Sequence, residues 1–493
     1  MIDHLPALQV VIPLIAAPLS ALFRPGRAVW VLAMAASGLS LLIAILLLRQ
    51  VLAQGVISYP MGGWAPPWGI EYRVDAANAF MLLIVSMIGT VVIVFARTIV
   101  EQRIRLPEHK QPWFYTAYLL CLTGLLGMII TGDAFNIFVF LEISSLSSYV
   151  LISLGRDRRA LTASYQYLIM GTIGATFILI GIGLLYVMTG TLNIMDLAAR
   201  IPAVSGTRTI RAAFAFLTVG VSLKLALFPL HLWLPNAYAY APSPVTAFLA
   251  ATATKVAIYV MLRFFFTIFG AEFSFNTMQL DRILLPLALI GIFSASVVAI
   301  FQTNVKRMLA YSSVAQIGYM ILGVSLVSVT GLTSTLSHLF NHALMKGTLF
   351  MALGCISFRI GTASLNRMAG VGRVMPWTMG AFVIGGLSLI GAPLTAGFVS
   401  KWYLMVGTLE KGWWPVAVLV LLTSLLAVIY IWRVVEVAYF KPAPEGPAVR
   451  EAPLALLIPT WTLALANLYF GVETSLNADV ARRAAAALLG VAP

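Results

Sequence analysis

Six titratable side chains stand inside long apolar runs: Glu142, Lys224, Lys255, His338, His342 and Lys401. Glu142 lies well inside its run, roughly 12 Å along a helix at about 1.5 Å per residue. Lys224 precedes Pro229 by five residues, and Lys255 shares a helical face with Thr252 and Tyr259, with Arg263 two turns on. His338, His342 and Lys346 are spaced i, i+4, i+8, so one face of one helix presents three titratable groups. A charged side chain at the centre of a membrane helix costs on the order of 2.5–3.5 kcal/mol on insertion scales. Glu142, Lys224, Lys255 and Lys401, in four separate runs, are therefore hard to explain as packing. A carboxylate and an ammonium that meet in a low dielectric favour each other's charge, and separating them disfavours both. Making and breaking such a pair moves protons. Ser144, Ser145, Ser147 and Ser148, with nearby Thr, Tyr and His residues, supply partners for a water wire. The chemistry these residues can perform is proton translocation along a polar axis between helices.

Simpler roles compete at several positions. Arg263, Arg433 and Glu436, near helix ends, fit side chains that snorkel to the headgroups. His231, just after Pro229, fits a structural hydrogen-bonding imidazole. Asp133 fits an anion favouring the positive end of the helix that follows it. The His338/His342 pair has the spacing of zinc ligands, but no nearby Cys or carboxylate completes a site, so no metal is expected. Cys121 and Cys355 lie in apolar runs and form no CxxC. With neither a Walker loop nor a GxGxxG fingerprint, no nucleotide or other cofactor is expected.

Composition identifies the elements that must position these groups. Of 493 residues 61% are hydrophobic and 10% charged, with mean hydropathy +0.96. Soluble domains carry about 25% charged and about 45–50% apolar residues. A soluble enzyme, a disordered chain and a disulfide scaffold are excluded, and an all-α polytopic membrane protein is indicated. The net charge of +14 invites a nucleic-acid partner. None is expected, because no basic run exceeds Arg156-Asp157-Arg158-Arg159 and no aromatic platform accompanies it. Excess Lys and Arg in such a chain sets orientation instead.

The apolar runs predict fourteen helices, at about 5–23, 28–49, 75–97, 113–131, 134–154, 162–188, 208–230, 244–270, 283–303, 308–330, 334–357, 376–408, 414–439 and 453–471. The first is read as a helix rather than a removable signal. The run 376–408 is too long for one span and holds Gly385, Gly386, Gly391, Pro393 and Gly397, so a break is expected there. With the N-terminus outside, sixteen of the 31 basic residues fall in cytoplasmic connections and nine on the outer side, among them Arg24 and Arg105 on the former. That split places both termini outside. Short matches recur at nearly one offset. Leu141-Glu-Ile-Ser-Ser145 with Leu154-Gly155 returns as Leu309-Ala-Tyr-Ser-Ser313 with Leu322-Gly323, Gly171-Thr172 as Gly347-Thr348, and Gly220-x3-Lys224 as Gly397-x3-Lys401. Helices 4–8 and 9–13 are then two copies of one unit, and a unit of five helices must be inverted in its second copy. The resulting segments are 1–112, 113–270, 271–439 and 440–493, with breaks in helix 7, 8 and/or 12.

Several long stretches resemble a known family. Asp133-Ala-Phe-Asn-Ile-Phe-Val-Phe-Leu-Glu142-Ile-Ser-Ser-Leu-Ser-Ser-Tyr149 resembles the helix-5 motif of the antiporter-like subunits shared by Mrp cation/proton antiporters and respiratory complex I. Lys224-Leu-Ala-Leu-Phe-Pro-Leu-His231-Leu-Trp-Leu-Pro235-Asn-Ala-Tyr, Ala241-Pro-Ser-Pro-Val245 and Thr254-Lys255 are similar to the same family. So are Lys306-Arg-Met-Leu-Ala-Tyr-Ser-Ser-Val-Ala-Gln-Ile-Gly-Tyr319 and Gly391-Ala-Pro-Leu-Thr-Ala-Gly-Phe-Val-Ser-Lys401. Within it, Gly62-Gly-Trp64-Ala-Pro-Pro-Trp-Gly-Ile70 and Lys401 resemble the D-type branch of the Mrp antiporters. Asn236 departs from the aspartate of many relatives.

The resemblance implies a switchable Glu142–Lys224 pair, a relay through Lys255, His338 and His342, and a terminal proton site at Lys401. It implies a secondary transporter subunit rather than an enzyme. Its partners would be other hydrophobic subunits of a hetero-oligomeric antiporter in a prokaryotic plasma membrane, exchanging Na+ (or K+, Li+) for protons. A proton-pumping subunit of a redox complex, either complex I or a membrane-bound hydrogenase, shares the same residues and remains the alternative. A purely structural scaffold is disfavoured by the intramembrane lysines.

Overall fold

Inside a bilayer no water is available to backbone N–H and C=O groups, so apolar spans must satisfy their own and fold as helices. A computed structural model describes residues 4–22, 27–104, 110–442 and 449–491. Arg24 and Arg105, both counted in cytoplasmic connections above, lie outside the described residues. Three helices come first, α1 (Leu5–Leu22), α2 (Arg27–Gln54) and α3 (Ala76–Gln102). Between the last two lies an antiparallel hairpin, β1 (Ile57–Pro60) and β2 (Glu71–Val74), pairing Ile57 with Val74 and Pro60 with Glu71. The first repeat holds α4 (Gln111–Ile130), α5 (Ala134–Ser153), α6 (Arg159–Thr189), α7 (Ile194–Val204), α8 (Arg208–Leu225), α9 (Trp233–Tyr240) and α10 (Ser243–Leu262). The second holds α11 (Asp281–Ile300), α12 (Val305–Ser325), α13 (Val329–Ile360), α14 (Val371–Val374), α15 (Pro376–Ile390), α16 (Ala396–Glu410) and α17 (Trp414–Phe440). α18 (Leu454–Val472) and α19 (Val480–Leu489) follow.

Among the described residues, twelve helices are long and apolar enough to cross a membrane. The seventh and twelfth expected spans are the interrupted ones: α8 stops at Leu225 and α9 begins at Trp233, while α15 stops at Ile390 and α16 begins at Ala396. The eighth is unbroken, and α10 runs on into a π-helical turn at Arg263–Ile268. Landmarks repeat between the two units. Asp133 caps α5 and bridges to Asn193, the cap of α7, while Asn304 caps α12 and bridges to Ser364. α6 ends at a left-handed Gly190 and α13 at a left-handed Gly361. The Gly-x3-Lys match does not fall at equivalent points, since Lys224 precedes its break and Lys401 follows its own.

Each break has a local cause. α8 ends on Ala226 at φ +61°, and Pro229 beyond it has no amide to continue the ladder. The Leu223 carbonyl is satisfied by the Trp233 indole at 3.0 Å, and Trp233 stacks on Tyr167 with centroids 4.0 Å apart. α15 ends on Gly391 at φ +90°, a conformation that favours glycine. The amides of Gly391 and Ala392 then turn back to the Leu387 carbonyl, both at 3.0 Å. At Gly397 the start of α16 passes so near the end of α15 that a Cβ would lie 1.8 Å from the Ser388 carbonyl oxygen. Gly397→Ala should therefore push the two half-helices apart and destabilise the fold by about 1–3 kcal/mol, the usual cost of overpacking. Thermal unfolding in detergent checks this, and an unchanged melting temperature would contradict the close approach.

Candidate functional site

Helix contacts bring the six residues onto one set of touching elements. α10 packs on α8 and α5 within its repeat and on α13 across the repeat boundary, and α13 packs on α12, α15 and α16. Glu142 on α5 is half-buried, and its Oε1 is buried with no hydrogen-bond partner among the described residues. One turn on, Ser145 accepts a hydrogen bond at 2.8 Å from Lys224 Nζ. No carboxylate among the described residues lies within 4.0 Å of Lys224, so Glu142 and Lys224 form no salt bridge in this structure. Lys224, Ser144, Ser145, Ser148 and Tyr167 line a cavity of about 30 Å³. A water needs roughly 10–15 Å³ on this scale, so one or two fit beside the ammonium.

Lys255 is fully buried, and its Nζ curls back to the Ala250 carbonyl of its own helix. On α13 the imidazoles of His338 and His342 are stacked, with centroids 5.7 Å apart and planes at 12°. His338 Nε2 meets Gln316 Oε1 at 2.9 Å, and its Nδ1 meets Ser400 Oγ at 2.7 Å. Because an amide oxygen only accepts, Nε2 donates to Gln316. Neither nitrogen of the buried His342 has a partner among the described residues. Lys346, one turn on, donates to the Leu309 carbonyl at 2.8 Å and to Ser312 Oγ. Lys401 donates to the Leu389 and Ile390 carbonyls at 3.1 and 2.8 Å and to Ser424 Oγ at 3.1 Å. Those carbonyls close α15, so Lys401 sits at the negative end of a half-helix. Its Nζ also lies 4.9 Å from the Tyr319 ring centroid.

The structure thus gathers Lys224, Lys255, His338, His342 and Lys401 on contacting helices, with Glu142 at the edge of the group. His231 stands apart, stacked on Phe228 at 5.3 Å and edge-on to Tyr311 at 6.3 Å. Asn236 donates to Gln166 Oε1 at 3.0 Å. Among the described residues no cluster of His, Cys, Asp and Glu could hold a metal ion. Two features have no mark in the sequence. Gln316 and Ser400, the partners of His338, carry no charge to single them out. Lys306 falls in an expected connection, yet α12 begins one residue earlier and buries it, with Nζ 3.0 Å from the Ala241 carbonyl.

Comparison with known proteins follows the same lines. The family described as NADH:quinone oxidoreductase/Mrp antiporter, TM, matches residues 131–427. The chain is 42% identical to the N-type subunit of NADH-quinone oxidoreductase from Desulforudis audaxviator, covering 92% of this chain and 90% of that protein. It is 30% identical to the D-type subunit of the Na(+)/H(+) antiporter from Bacillus subtilis, over 92% and 91% of the two chains. Two solved structures superpose with a TM-score of 0.89. One is the archaeal membrane-bound sulfane sulfur reductase, at 30% identity over 99% of this chain and 98% of that one. The other is the Mrp complex of Dietzia sp. DQ12-45-1b, at 26% identity over 99% and 97%.

Arg263 does not snorkel. It is buried, with Nη2 2.5 Å from Asp75 Oδ1 and Nε 2.8 Å from the Tyr259 hydroxyl, and it also reaches Asn78 Oδ1. Asp75 caps α3 as well, accepting from the Ala77 and Asn78 amides. Burial alone would raise the Asp75 carboxyl, but Arg263 and these amides hold it below the usual carboxylate range. Arg433 and Glu436 remain partly or fully exposed, as snorkelling side chains would be. Removing one partner of a buried pair strands the other, at about 3–5 kcal/mol. Asp75→Ala should therefore lower the melting temperature more than Asp75→Asn, which retains a capping oxygen. Equal, small shifts in detergent-solubilised protein would show that the pair does not fasten α3 to α10.

Proposed function

Because the chain belongs to the NADH:quinone oxidoreductase/Mrp antiporter family, we propose that it is the proton-translocating subunit of a hetero-oligomeric membrane complex that exchanges Na+ (or K+, Li+) for protons. One observation carries the reading. Five buried amines and imidazoles, Lys224, Lys255, His338, His342 and Lys401, lie on contacting helices, and no carboxylate among the described residues stands within 4.0 Å of any of them. Five uncompensated cations cannot share so small a low-dielectric volume, so their protons must be fewer than their sites. Partly filled sites on contacting helices are what proton hopping needs.

In this reading Glu142 closes on Lys224 and opens from it, which changes the affinity of Lys224 for its proton. Water beside Ser144, Ser145 and Ser148 links Lys224 toward Lys255. His342, with both nitrogens free of protein partners, takes the proton from Lys255 and passes it through His338 to Lys401. Lys346 lies on the same face and joins the relay. The protein is a translocator and catalyses no covalent step. One charge moving through 100 mV gains about 2.3 kcal/mol, so a membrane potential can drive electrogenic exchange. The family resemblance supports a prokaryotic plasma membrane, and the basic excess in the connections supports both termini on the outer side.

A second reading has its own support. The 42% identity with a subunit of NADH-quinone oxidoreductase favours a redox-driven pump that uses the same axis. The two readings part at what drives the Glu142–Lys224 pair. The test is to purify the tagged chain with its partners, reconstitute the complex and follow Na+-dependent proton release. Glu142→Ala and Lys224→Ala should assemble normally yet lose about 10²-fold or more in rate, the usual worth of a positioned proton-transfer group. Normal rates in assembled variants would remove both residues from the mechanism. Co-purifying flavin or iron–sulfur subunits would transfer the drive to electron transfer and leave the axis in place.

A further inference from the structure

A polar cavity lies away from the axis, where α6, α10 and α12 begin. Its volume is about 250 Å³. Arg103, Arg156, Arg159 and Lys306 line it, against one carboxylate, Asp157. Hydrogen bonds from the Arg159 side chain and amide hold the Asp157 carboxyl below the usual range, so that pair is internally neutral. Arg103, Arg156 and Lys306 are left without an acidic partner among the described residues. Lys306 is 7% exposed, and the Ala241 carbonyl occupies one of its three N–H donors.

Three helices start at this cavity. Arg159 opens α6, Ser243 opens α10 and Asn304 caps α12, and all three line the cavity. These are positive ends, and cations in the first turns of α6 and α12 oppose their dipoles. An anion would relieve both. The helices α3, α5, α9 and α13 finish here too; Phe358 O of α13 is bonded by Arg103, and Ala241 O, just after α9, by Lys306. A vestibule of this sign repels Na+ and hydronium, so it does not serve as the cation inlet. Ile99, Ile104 and Leu154 give it an apolar wall. Its volume is below the roughly 300–1,000 Å³ of sites that engulf a drug-sized ligand, which suits a headgroup.

We propose that this cavity binds a phosphate-bearing anion, either the headgroup of an acidic phospholipid or free phosphate. It lies at the connections that the basic excess assigns to the cytoplasm, the leaflet rich in anionic lipid. The site is independent of the driver of the proton axis. It is tested by native mass spectrometry of the delipidated full-length chain, titrated with dioleoylphosphatidylglycerol, dioleoylphosphatidylcholine or inorganic phosphate. Phosphatidylglycerol should saturate at about tenfold lower concentration than phosphatidylcholine, a difference of about 1.4 kcal/mol. Arg156→Gln and Lys306→Gln should each remove most of that preference. Phosphate binding that the same substitutions weaken, without lipid preference, would identify free phosphate as the source. Equal binding of the two lipids with no phosphate bound overturns the proposal. So does a preference unchanged in folded variants. Arg156 is exposed and tolerates replacement, so Arg156→Gln decides the matter if Lys306→Gln fails to fold.

Discussion

The structure depends on holding ammonium groups inside an apolar bundle without carboxylates beside them. Backbone carbonyls do this instead. Lys401 is held by the last two carbonyls of α15, Lys346 by Leu309 and Lys255 by Ala250. Lys224 lies in the final turn of α8, where the ladder runs out, and leans on Ser145. A carbonyl dipole steadies a cation far less than a full negative charge does. In the proposed reading these sites can therefore accept a proton and also lose it. A carboxylate at each lysine would make a tighter pair and a poorer relay.

That requirement bears on one of the two broken spans. The break after Ile390 leaves the last carbonyls of α15 outside any ladder, and Lys401 takes them up at depth. The cost of interruption is met locally. The Trp233 indole takes up the Leu223 carbonyl, and the turn at Gly391 folds two amides back onto Leu387. Gly397 then lets α16 pass close enough for Lys401 to reach the end of α15. The joint between the copies, α10 against α13, holds Lys255 opposite the two histidines.

Much of this was legible in the sequence because burial of charge leaves a plain mark. Lysines and histidines in apolar runs stand out, and so do Gly and Pro where a span is too long. The fourteen runs and the break within 376–408 follow from those marks, whereas the break after α8 falls in a span of ordinary length and is expected only among helices 7, 8 and/or 12. What escaped has no such signature. α7 is eleven residues with Asp196 and Arg200, too short and too polar for a span, yet it buries Ile194, Leu197 and Ile201. α19 is alanine-rich and follows the last apolar run, but it packs Ala481, Ala484 and Ala485 into the core. The Asp75–Arg263 pair joins residues nearly two hundred positions apart, a distance no spacing rule spans. Lys306 was misplaced by the smallest error, a helix start shifted by three residues.

The arrangement also bears on how the axis can be driven. The amines and imidazoles are sealed in the core, whereas Glu142 is half-buried on a helix whose outer face shows Phe135, Leu146 and Val150. A perturbation arriving from outside the chain meets this carboxylate before it meets any lysine. In the proposed reading, movement of Glu142 changes the proton affinity of Lys224, and the sites beyond it differ in residue type and in their carbonyl, hydroxyl and amide partners. The axis in that reading works alike whether an ion gradient or an electron-transfer partner moves Glu142. The same sequence can therefore resemble a component of NADH-quinone oxidoreductase and a component of a Na(+)/H(+) antiporter over nine-tenths of its length.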